Sequence, residues 1–172
     1  MKRVSGGEAQ SRSREPLAGE LEGGDRDVPG GESARRSDFS AGGVVVRDRE
    51  VIVITPARPR NPDEVLALPK GHPDGEESEL EAAVREVREE TGVQAEPIEK
   101  LGDIHYSYER KGRQIDKRVA FYLFEYRGGE LEPDHEIASA RWMALDQAAR
   151  SLTYEGEREM VQRALSRYVR DR

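Results

Sequence analysis

Three glutamates are the residues whose types and spacing point most directly to chemistry. Glu86, Glu89 and Glu90 stand at positions i, i+3 and i+4, so on a helix their carboxylates would share roughly a third of the circumference. Like charges this close destabilise an exposed helix by roughly 0.2–0.5 kcal/mol per pair. Arg85 can pair with Glu89 one turn away, but a single guanidinium leaves negative charge in surplus. Because hard divalent cations bind carboxylate oxygens, the spacing predicts a site for magnesium or a similar ion.

A helix over residues 78–91 is predicted to carry these glutamates. Its apolar residues follow the i, i+3, i+4, i+7 spacing of one buried helical face. They are Leu80, Ala83, Val84 and Val87. Ser78 and Glu81 have the spacing of a capping box at the helix start, and Gly92 suits the left-handed residue just past its end.

The loop before this helix is predicted to act together with it. Gly71 permits a close approach of the backbone, and the turn signal at residues 73–75 lets Glu77 fold back toward the helix. Lys70 and His72 flank Gly71 and can supply positive charge or hydrogen bonds to phosphate oxygens. We therefore expect the loop and the helix to hold a phosphorylated ligand together.

Residues 71–93 resemble the Nudix box: glycine, five residues, glutamate, seven residues, then Arg-Glu-apolar-any-Glu-Glu-any-Gly-apolar. The matching positions are Gly71, Glu77, Arg85, Glu86, Val87, Glu89, Glu90, Gly92 and Val93. The order of strands and helices from about Phe39 to Val169 also resembles that family. The resemblance implies an α/β fold, namely a Nudix-type α/β/α sandwich with a mixed β-sheet.

The resemblance implies hydrolysis of a nucleoside diphosphate linked to another group, through attack of water at phosphorus with magnesium, or manganese, as cofactor. Carried over by position, the metal ligands are Glu86, Glu89 and Glu90, with Glu77 near the site. Arg85 would hold the carboxylates in place. Glu89 is the first candidate to accept the proton of the attacking water, and Glu136 is the candidate outside the box. The alternative for Glu136 is an exposed loop acid without a role.

The sequence of residues 68–72, Leu-Pro-Lys-Gly-His, resembles that of the Nudix branch that hydrolyses diadenosine polyphosphates. In that branch the equivalents of Lys70 and His72 lie near the polyphosphate. Similar sequences occur in Nudix enzymes that act on diphosphoinositol polyphosphates or on oxidised dGTP. Hydrolysis of diphosphoinositol polyphosphates and a sanitising hydrolase for modified nucleoside triphosphates are therefore alternative functions. A nucleotide-sensing Nudix-fold binding module is the alternative without catalysis, although such proteins usually lose box glutamates.

Further substrate contacts are expected from two later strands. Adenine stacking and phosphate contacts can come from Tyr106, Tyr108, Lys111, Arg113 and Lys117. The ordinary alternatives are half-buried core tyrosines and a solvated basic hairpin tip, and these alternatives also stay open.

Composition bounds the remaining possibilities. A net charge of −7 disfavours broad binding to nucleic acid, and no apolar stretch is long enough to span a bilayer. The lack of cysteine excludes a thiolate metal site. We therefore expect a cytoplasmic protein. The resemblance, rather than the composition, implies a small-molecule nucleotide substrate, and both a monomer and a homodimer stay open.

The polar residues 1–38 are predicted to be a disordered tail and residues 39–172 a single Nudix hydrolase domain. Within that domain, apolar patterns predict strands and one closing helix. The predicted strands are 41–47, 51–55, 65–69, 102–109, 118–126 and 137–143, and the closing helix is 155–169.

Overall fold

The computed structural model describes residues 35–57 and 65–170. Within these ranges the elements in chain order are β1 (Arg36–Arg47), β2 (Glu50–Pro56), β3 (Lys70–Gly71), α1 (Glu79–Thr91), β4 (Gln94–Arg110), β5 (Arg113–Gly128), β6 (Ile137–Ala144), α2 (Leu145–Ser151) and α3 (Glu155–Arg170). The predicted tail lies outside the described residues up to position 34. Its last residues, Arg36 to Asp38, belong to β1, so the first strand begins before the predicted domain start at Phe39.

The sheet is mixed, as predicted, with the strand order β4-β5-β1-β2-β6. Strand β1 is central: it runs parallel to β5 from Arg36 opposite Ile115 to Val46 opposite Glu125. The other pairings are antiparallel, including the short contact of β3 with β1 at Ala41 and Gly42. The parallel pairing brings the first residues of β1 beside the start of β5.

Helices cover both faces of the sheet, which confirms the α/β/α arrangement. Residues of α1 pack with Ala41, Val45 and Phe124 in one core cluster, whereas α2 and α3 pack against Val44 and Phe121 on the other face. A methyl group at Gly43 would lie 2.7 Å from Val87 Cγ2. The lack of a side chain on β1 at this point therefore lets α1 lie close to the sheet.

The caps of α1 are as predicted. The Ser78 hydroxyl accepts a hydrogen bond from the Glu81 amide and the Glu81 carboxylate accepts one from the Ser78 amide. Gly92 has φ = 80°, and its amide donates to the Arg88 carbonyl. Among the described helices, none has the length and apolar character needed to cross a membrane.

The predicted buried face of α1 is wrong in part. Leu80 and Val84 are 39% and 38% exposed, while Ala83 and Val87 are buried as expected. The buried face is rotated toward the functional residues, and its members are Ala82, Ala83, Glu86, Val87, Glu90 and Thr91. Small alanines allow close packing on the sheet, and this packing carries two glutamates inward at the expense of two larger apolar side chains.

Residues 65–69, which were predicted to form a strand, do not form one. Only an isolated bridge joins Ala67 to Ile54, and the paired segment is Lys70–Gly71, directly after Pro69. Proline has no amide hydrogen to donate, so ladder pairing resumes only after it. The remaining predicted strands and the closing helix are present, several with longer bounds.

Candidate active site

Arg85 is the shared partner of the carboxylates around α1. Its Nε donates to Glu77 Oε1 at 2.8 Å, and its Nη1 donates to Glu86 Oε1 at 2.9 Å and to Glu89 Oε2 at 3.0 Å. Its Nη2 also donates to the His72 carbonyl at 2.8 Å. The predicted pairing with Glu89 is therefore part of a larger network that ties the loop to the helix.

Glu77 folds back as the turn signal indicated. Its carboxylate accepts hydrogen bonds from Arg85 and from the Asp74 amide, and these bonds lower the pKa of Glu77. Glu77 is consequently held in its ionised form against the guanidinium of Arg85. Its position fixes the loop relative to the helix.

The surroundings of Glu86 and Glu90 have the opposite effect, since they raise the pKa values of these carboxyl groups. Both residues are buried, with 8% and 7% exposure. Burial raises the pKa of Glu86, and the charges of Glu89 and Glu136 raise it further against the opposing effect of Arg85. Burial raises the pKa of Glu90 well above its usual range, and the charge of Glu86 adds to this effect. The two acids therefore lack full cationic compensation within the protein.

The segment Lys70–Gly71 closes over these acids. The Lys70 amide donates to Glu90 Oε2 at 2.9 Å, so the backbone of Lys70 contacts the acidic cluster directly. A Cβ added at Gly71 would lie 2.2 Å from both Cδ and Oε1 of Glu86. The Glu86 carboxylate occupies the space that a side chain at position 71 would fill, so any larger residue here would displace this carboxylate.

The loop before β6 docks against the end of α1. The Asp134 amide donates to the Glu89 carbonyl at 3.1 Å, and the Glu132 amide donates to the Thr91 carbonyl at 2.9 Å. Glu136 in this loop is exposed, yet its charge is close enough to raise the pKa of Glu86. The structure therefore brings the predicted candidate outside the box to the edge of the acidic cluster.

The residues present fit a hard divalent cation. Across 35–57 and 65–170, no three carboxylate or imidazole groups converge as a ready-made ion cage; Glu77, Glu86 and Glu89 instead share Arg85. Magnesium usually keeps several waters and takes few protein carboxylates alongside substrate phosphates, so it needs no closed cage. The raised pKa values of Glu86 and Glu90 indicate that their buried carboxylates lack cationic compensation, which a bound divalent ion would supply.

A second group of polar side chains lies beside the loop, and sequence reasoning missed its centre. Asp38, assigned to the tail, lies with Oδ1 2.8 Å from His72 Nε2 and accepts a hydrogen bond from Lys117 Nζ at 2.7 Å. The Tyr108 hydroxyl donates to Asp38 at 3.2 Å. The separation of Asp38 and Lys117 along the chain is 79 positions, so no local pattern could have indicated this contact.

The remaining predicted substrate residues are only partly brought together. The Tyr106 and Tyr108 rings lie 6.2 Å apart, and both residues are half-buried on the same side of β4. Arg113 is exposed where β5 begins, and no hydrogen bond or ion pair joins it to the other predicted site residues within the described chain. A phosphate contact by Arg113 stays a prediction, as does the alternative of a solvated hairpin tip.

The family model described as NUDIX domain matches residues 37–164, and the chain belongs to this family. A relative from Mycolicibacterium smegmatis named 8-oxo-(d)GTP phosphatase is 34% identical over 128 residues, covering 74% of this chain and 38% of its own length. The asymmetrical bis(5'-nucleosyl)-tetraphosphatase of Rattus norvegicus is 32% identical over 96 residues, covering 55% of this chain and 65% of its own length. The chain thus spans less than two thirds of each of these relatives.

A solved structure supports the fold. The crystal structure of an Ap4A hydrolase from C. elegans in a binary complex superposes with a TM-score of 0.62 at 24% identity, covering 77% of this chain and 98% of that chain. At this identity the likeness establishes the Nudix fold and no finer property.

Proposed function

We propose that this chain hydrolyses a phosphoanhydride bond in a nucleoside diphosphate linked to another group, with a dinucleoside polyphosphate such as diadenosine tetraphosphate as its substrate. The observation that carries the proposal is the burial of Glu86 and Glu90 on the same helix as Glu89, with Arg85 bonded to Glu86 and Glu89 and the Lys70 amide bonded to Glu90. The similarity to the rat tetraphosphatase supports the substrate class. A cytoplasmic location fits such a substrate.

Glu86, Glu89 and Glu90, with Glu77 nearby, would hold magnesium or manganese. When bound, the ion would neutralise phosphate charge and make a nearby water easier to deprotonate. Arg85 would keep three of these carboxylates in place, because it bonds each of them and the loop carbonyl of His72.

Glu89 would accept the proton of the attacking water. Its side chain is 47% exposed, so both solvent and substrate can reach its carboxylate while Arg85 fixes one oxygen. Glu136 is the second candidate for this role because it is exposed at the edge of the same cluster. The water oxygen would attack phosphorus, and the bond from phosphorus to the bridging oxygen would break, which releases two phosphorylated products.

Residues of the loop before α1 would contact the phosphate chain beside the glutamates. His72 keeps 43% of its side chain exposed while its carbonyl bonds Arg85, so its ring can contact a phosphate held at the glutamates. Lys70 would contribute through both its charge and its amide, which already bonds Glu90.

A modified nucleoside triphosphate is the second candidate substrate, and the similarity to the 8-oxo-(d)GTP phosphatase favours it. Diphosphoinositol polyphosphates and a nucleotide-sensing role without catalysis complete the alternatives. Incubation of the protein and Mg²⁺ with diadenosine tetraphosphate, 8-oxo-dGTP and a diphosphoinositol polyphosphate, followed by product chromatography, distinguishes them. We expect ATP and AMP from diadenosine tetraphosphate, whereas pyrophosphate and 8-oxo-dGMP from 8-oxo-dGTP would favour the sanitising role.

Glu89→Gln and Glu90→Gln test the assigned roles. We expect each to lower the turnover rate by about 10²–10⁴-fold without loss of fold, because each removes a carboxylate that acts on water or cation. Glu159→Gln, an exposed carboxylate on α3, is the control and should retain wild-type turnover. Full activity in both site variants would refute the roles, and a folded protein that cleaves none of the three compounds would favour the binding module.

A further inference from the structure

The group formed by Asp38, His72, Tyr108 and Lys117, hereafter the Asp38 cluster, is built from four separate segments of the chain. Asp38 belongs to β1, Tyr108 to β4 and Lys117 to β5, whereas His72 follows β3. The Asp38 carboxylate is at the centre, because the other three side chains lie within hydrogen-bond distance of it and His72 Nε2 is also 3.2 Å from Lys117 Nζ. Removal of Asp38 would therefore affect every member.

Burial is graded across the cluster. The side chain of Lys117 is 1% exposed, that of Asp38 is 18% exposed, and that of His72 is 43% exposed. A buried ammonium group requires a counter-ion, and Asp38 is the carboxylate that supplies it. Lys117 is thus an internal brace, while His72 is the member that meets solvent.

The backbone fixes the position of Asp38. Asp38 and Lys117 are direct partners in the parallel pairing of β1 with β5, so their side chains lie on the same face of the sheet. Hydrogen bonds from His72 and Lys117 hold the pKa of Asp38 far below its usual range despite burial. The carboxylate therefore stays charged and stationary beside the His72 ring.

The cluster is joined to the acidic face of α1 through one residue. The His72 carbonyl accepts from Arg85 Nη2, while the His72 ring lies against Asp38. Arg85 also bonds Glu86 and Glu89, so the backbone of His72 is tied to the residues proposed to hold the phosphate chain of the substrate. The orientation of the His72 ring then decides whether it contacts the chain.

We infer that Asp38, braced by the buried Lys117, is a positioning residue that orients the imidazole of His72 toward the phosphate chain of the substrate. The inference rests on the proposed function, and it adds to that function a residue outside the Nudix box. Asp38 acts through His72, without touching the substrate. Its loss should therefore weaken substrate binding and leave the chemical step at the glutamates intact.

The test is a double-mutant cycle on Asp38 and His72, measured with diadenosine tetraphosphate and Mg²⁺. Asp38→Asn should raise KM by about 10-fold and change kcat by less than about 2-fold, since the lost contact binds substrate and transition state alike. In the His72→Ala background the same change should leave KM unaltered, because its effect passes through the missing ring. KM effects that add, or an unchanged KM in a folded Asp38→Asn protein, would overturn the inference.

Asp116→Asn is the matched control, because Asp116 is adjacent to Lys117 on β5 but bonds Ser107 instead. It should leave KM at the wild-type value. If Asp38→Asn does not fold at the assay temperature, Asp38→Glu replaces it: the charge is kept but displaced by one methylene, and a KM rise of about 3-fold that vanishes without His72 is expected. A KM rise that persists without His72 would contradict the inference for this variant too.

A failure of the proposed function would be recognised separately. If the wild-type protein cleaves none of the three compounds, calorimetric titration with inorganic tripolyphosphate in Mg²⁺ replaces kinetics. Asp38→Asn and His72→Ala should then weaken binding by about the same factor, and the double variant by no more than either. Equal affinity of the wild type and Asp38→Asn would refute the positioning role even in that case.

Discussion

The two ends of α1 carry carboxylates in opposite electrostatic situations. Near its start, Glu79 accepts hydrogen bonds from Arg118, Lys100 and Tyr122, and despite partial burial these bonds lower the pKa of Glu79 to about 2. In its second half, burial instead raises the pKa values of Glu86 and Glu90. One helix therefore holds an acid with a lowered pKa and a pair of acids with raised pKa values within about three turns of each other.

The difference follows from the number of cations. Lys100 and Arg118 serve Glu79 and one further acid, Asp103, so charges balance there. Arg85 alone is shared among Glu77, Glu86 and Glu89. A balanced group adds to the stability of the fold, whereas a group with excess negative charge is held in place by the fold and gains a partner when a cation binds.

Gly71→Ala tests whether the unsatisfied end depends on close backbone packing. The new methyl group would lie 2.2 Å from the Glu86 carboxylate, which must then move. We expect kcat/KM to fall by about 10-fold or more, while the unfolding temperature changes by only a few degrees because the end of a side chain can give way. Steady-state kinetics and thermal unfolding of the same preparation measure both effects.

Gly128→Ala is the matched control, since a methyl group there meets no atom within 4 Å. It should be neutral in both measurements. Wild-type kinetics in Gly71→Ala would show that the position of Glu86 is not critical for catalysis, and the distinction between the two ends of α1 would lose its functional meaning.

The parts of this molecule that were predictable from the sequence depend on local interactions. The cap of α1 at Ser78, its end at Gly92 and the return of Glu77 each depend on residues only a few positions apart. Helix α2 was missed although its local signal is present. Leu145, Ala148, Ala149 and Leu152 are all buried and have the spacing of one helical face.

Other features depend on how distant segments pack, and no local spacing reports them. The Asp38 cluster exists because β1 and β5 pair in parallel, which places Asp38 beside Lys117. The exposure of Leu80 and Val84 likewise depends on the sheet, because α1 turns its small and acidic residues toward β1 and β3. In both cases the pairing or packing of elements remote in sequence determines which side chains are buried, and the local apolar pattern does not.

Glu90→Gln sharpens the comparison through stability. Because the folded-state pKa of Glu90 is raised, its contribution to stability is fully present below the unfolded pKa and is lost as pH rises through the folded pKa. In EDTA at neutral pH, Glu90→Gln should therefore unfold about 2–4 °C higher than wild type, corresponding to roughly 1 kcal/mol. The gain in unfolding temperature should vanish near pH 4, where the side chain at position 90 is uncharged in the wild type as well as in the variant.

Added Mg²⁺ should reverse the order of stability, because the ion stabilises the wild type and binds the variant less tightly. Glu89→Gln is the control, since Glu89 is half-exposed and its neutralisation should alter stability less. A variant at position 90 that is less stable than wild type in EDTA at neutral pH would contradict the proposed surplus of negative charge.

Glu79→Gln should give the smallest effect, with the opposite sign. Because the folded-state pKa of Glu79 is lowered to about 2, its contribution to stability is fully present above the unfolded pKa and is lost as pH falls through the folded pKa. The partial exposure of the group limits the loss in the variant to roughly 0.5 kcal/mol, or about 1–2 °C at neutral pH. Thermal unfolding from pH 2 to 7 should show the full difference above about pH 5 and a difference that shrinks as pH falls toward 2, with kcat unchanged at neutral pH. Glu76→Gln, an exposed acid in the preceding turn, should match wild type throughout. A drop in kcat for Glu79→Gln would mean that both ends of α1 serve the reaction, which would remove the contrast between a structural and a functional acid on this helix.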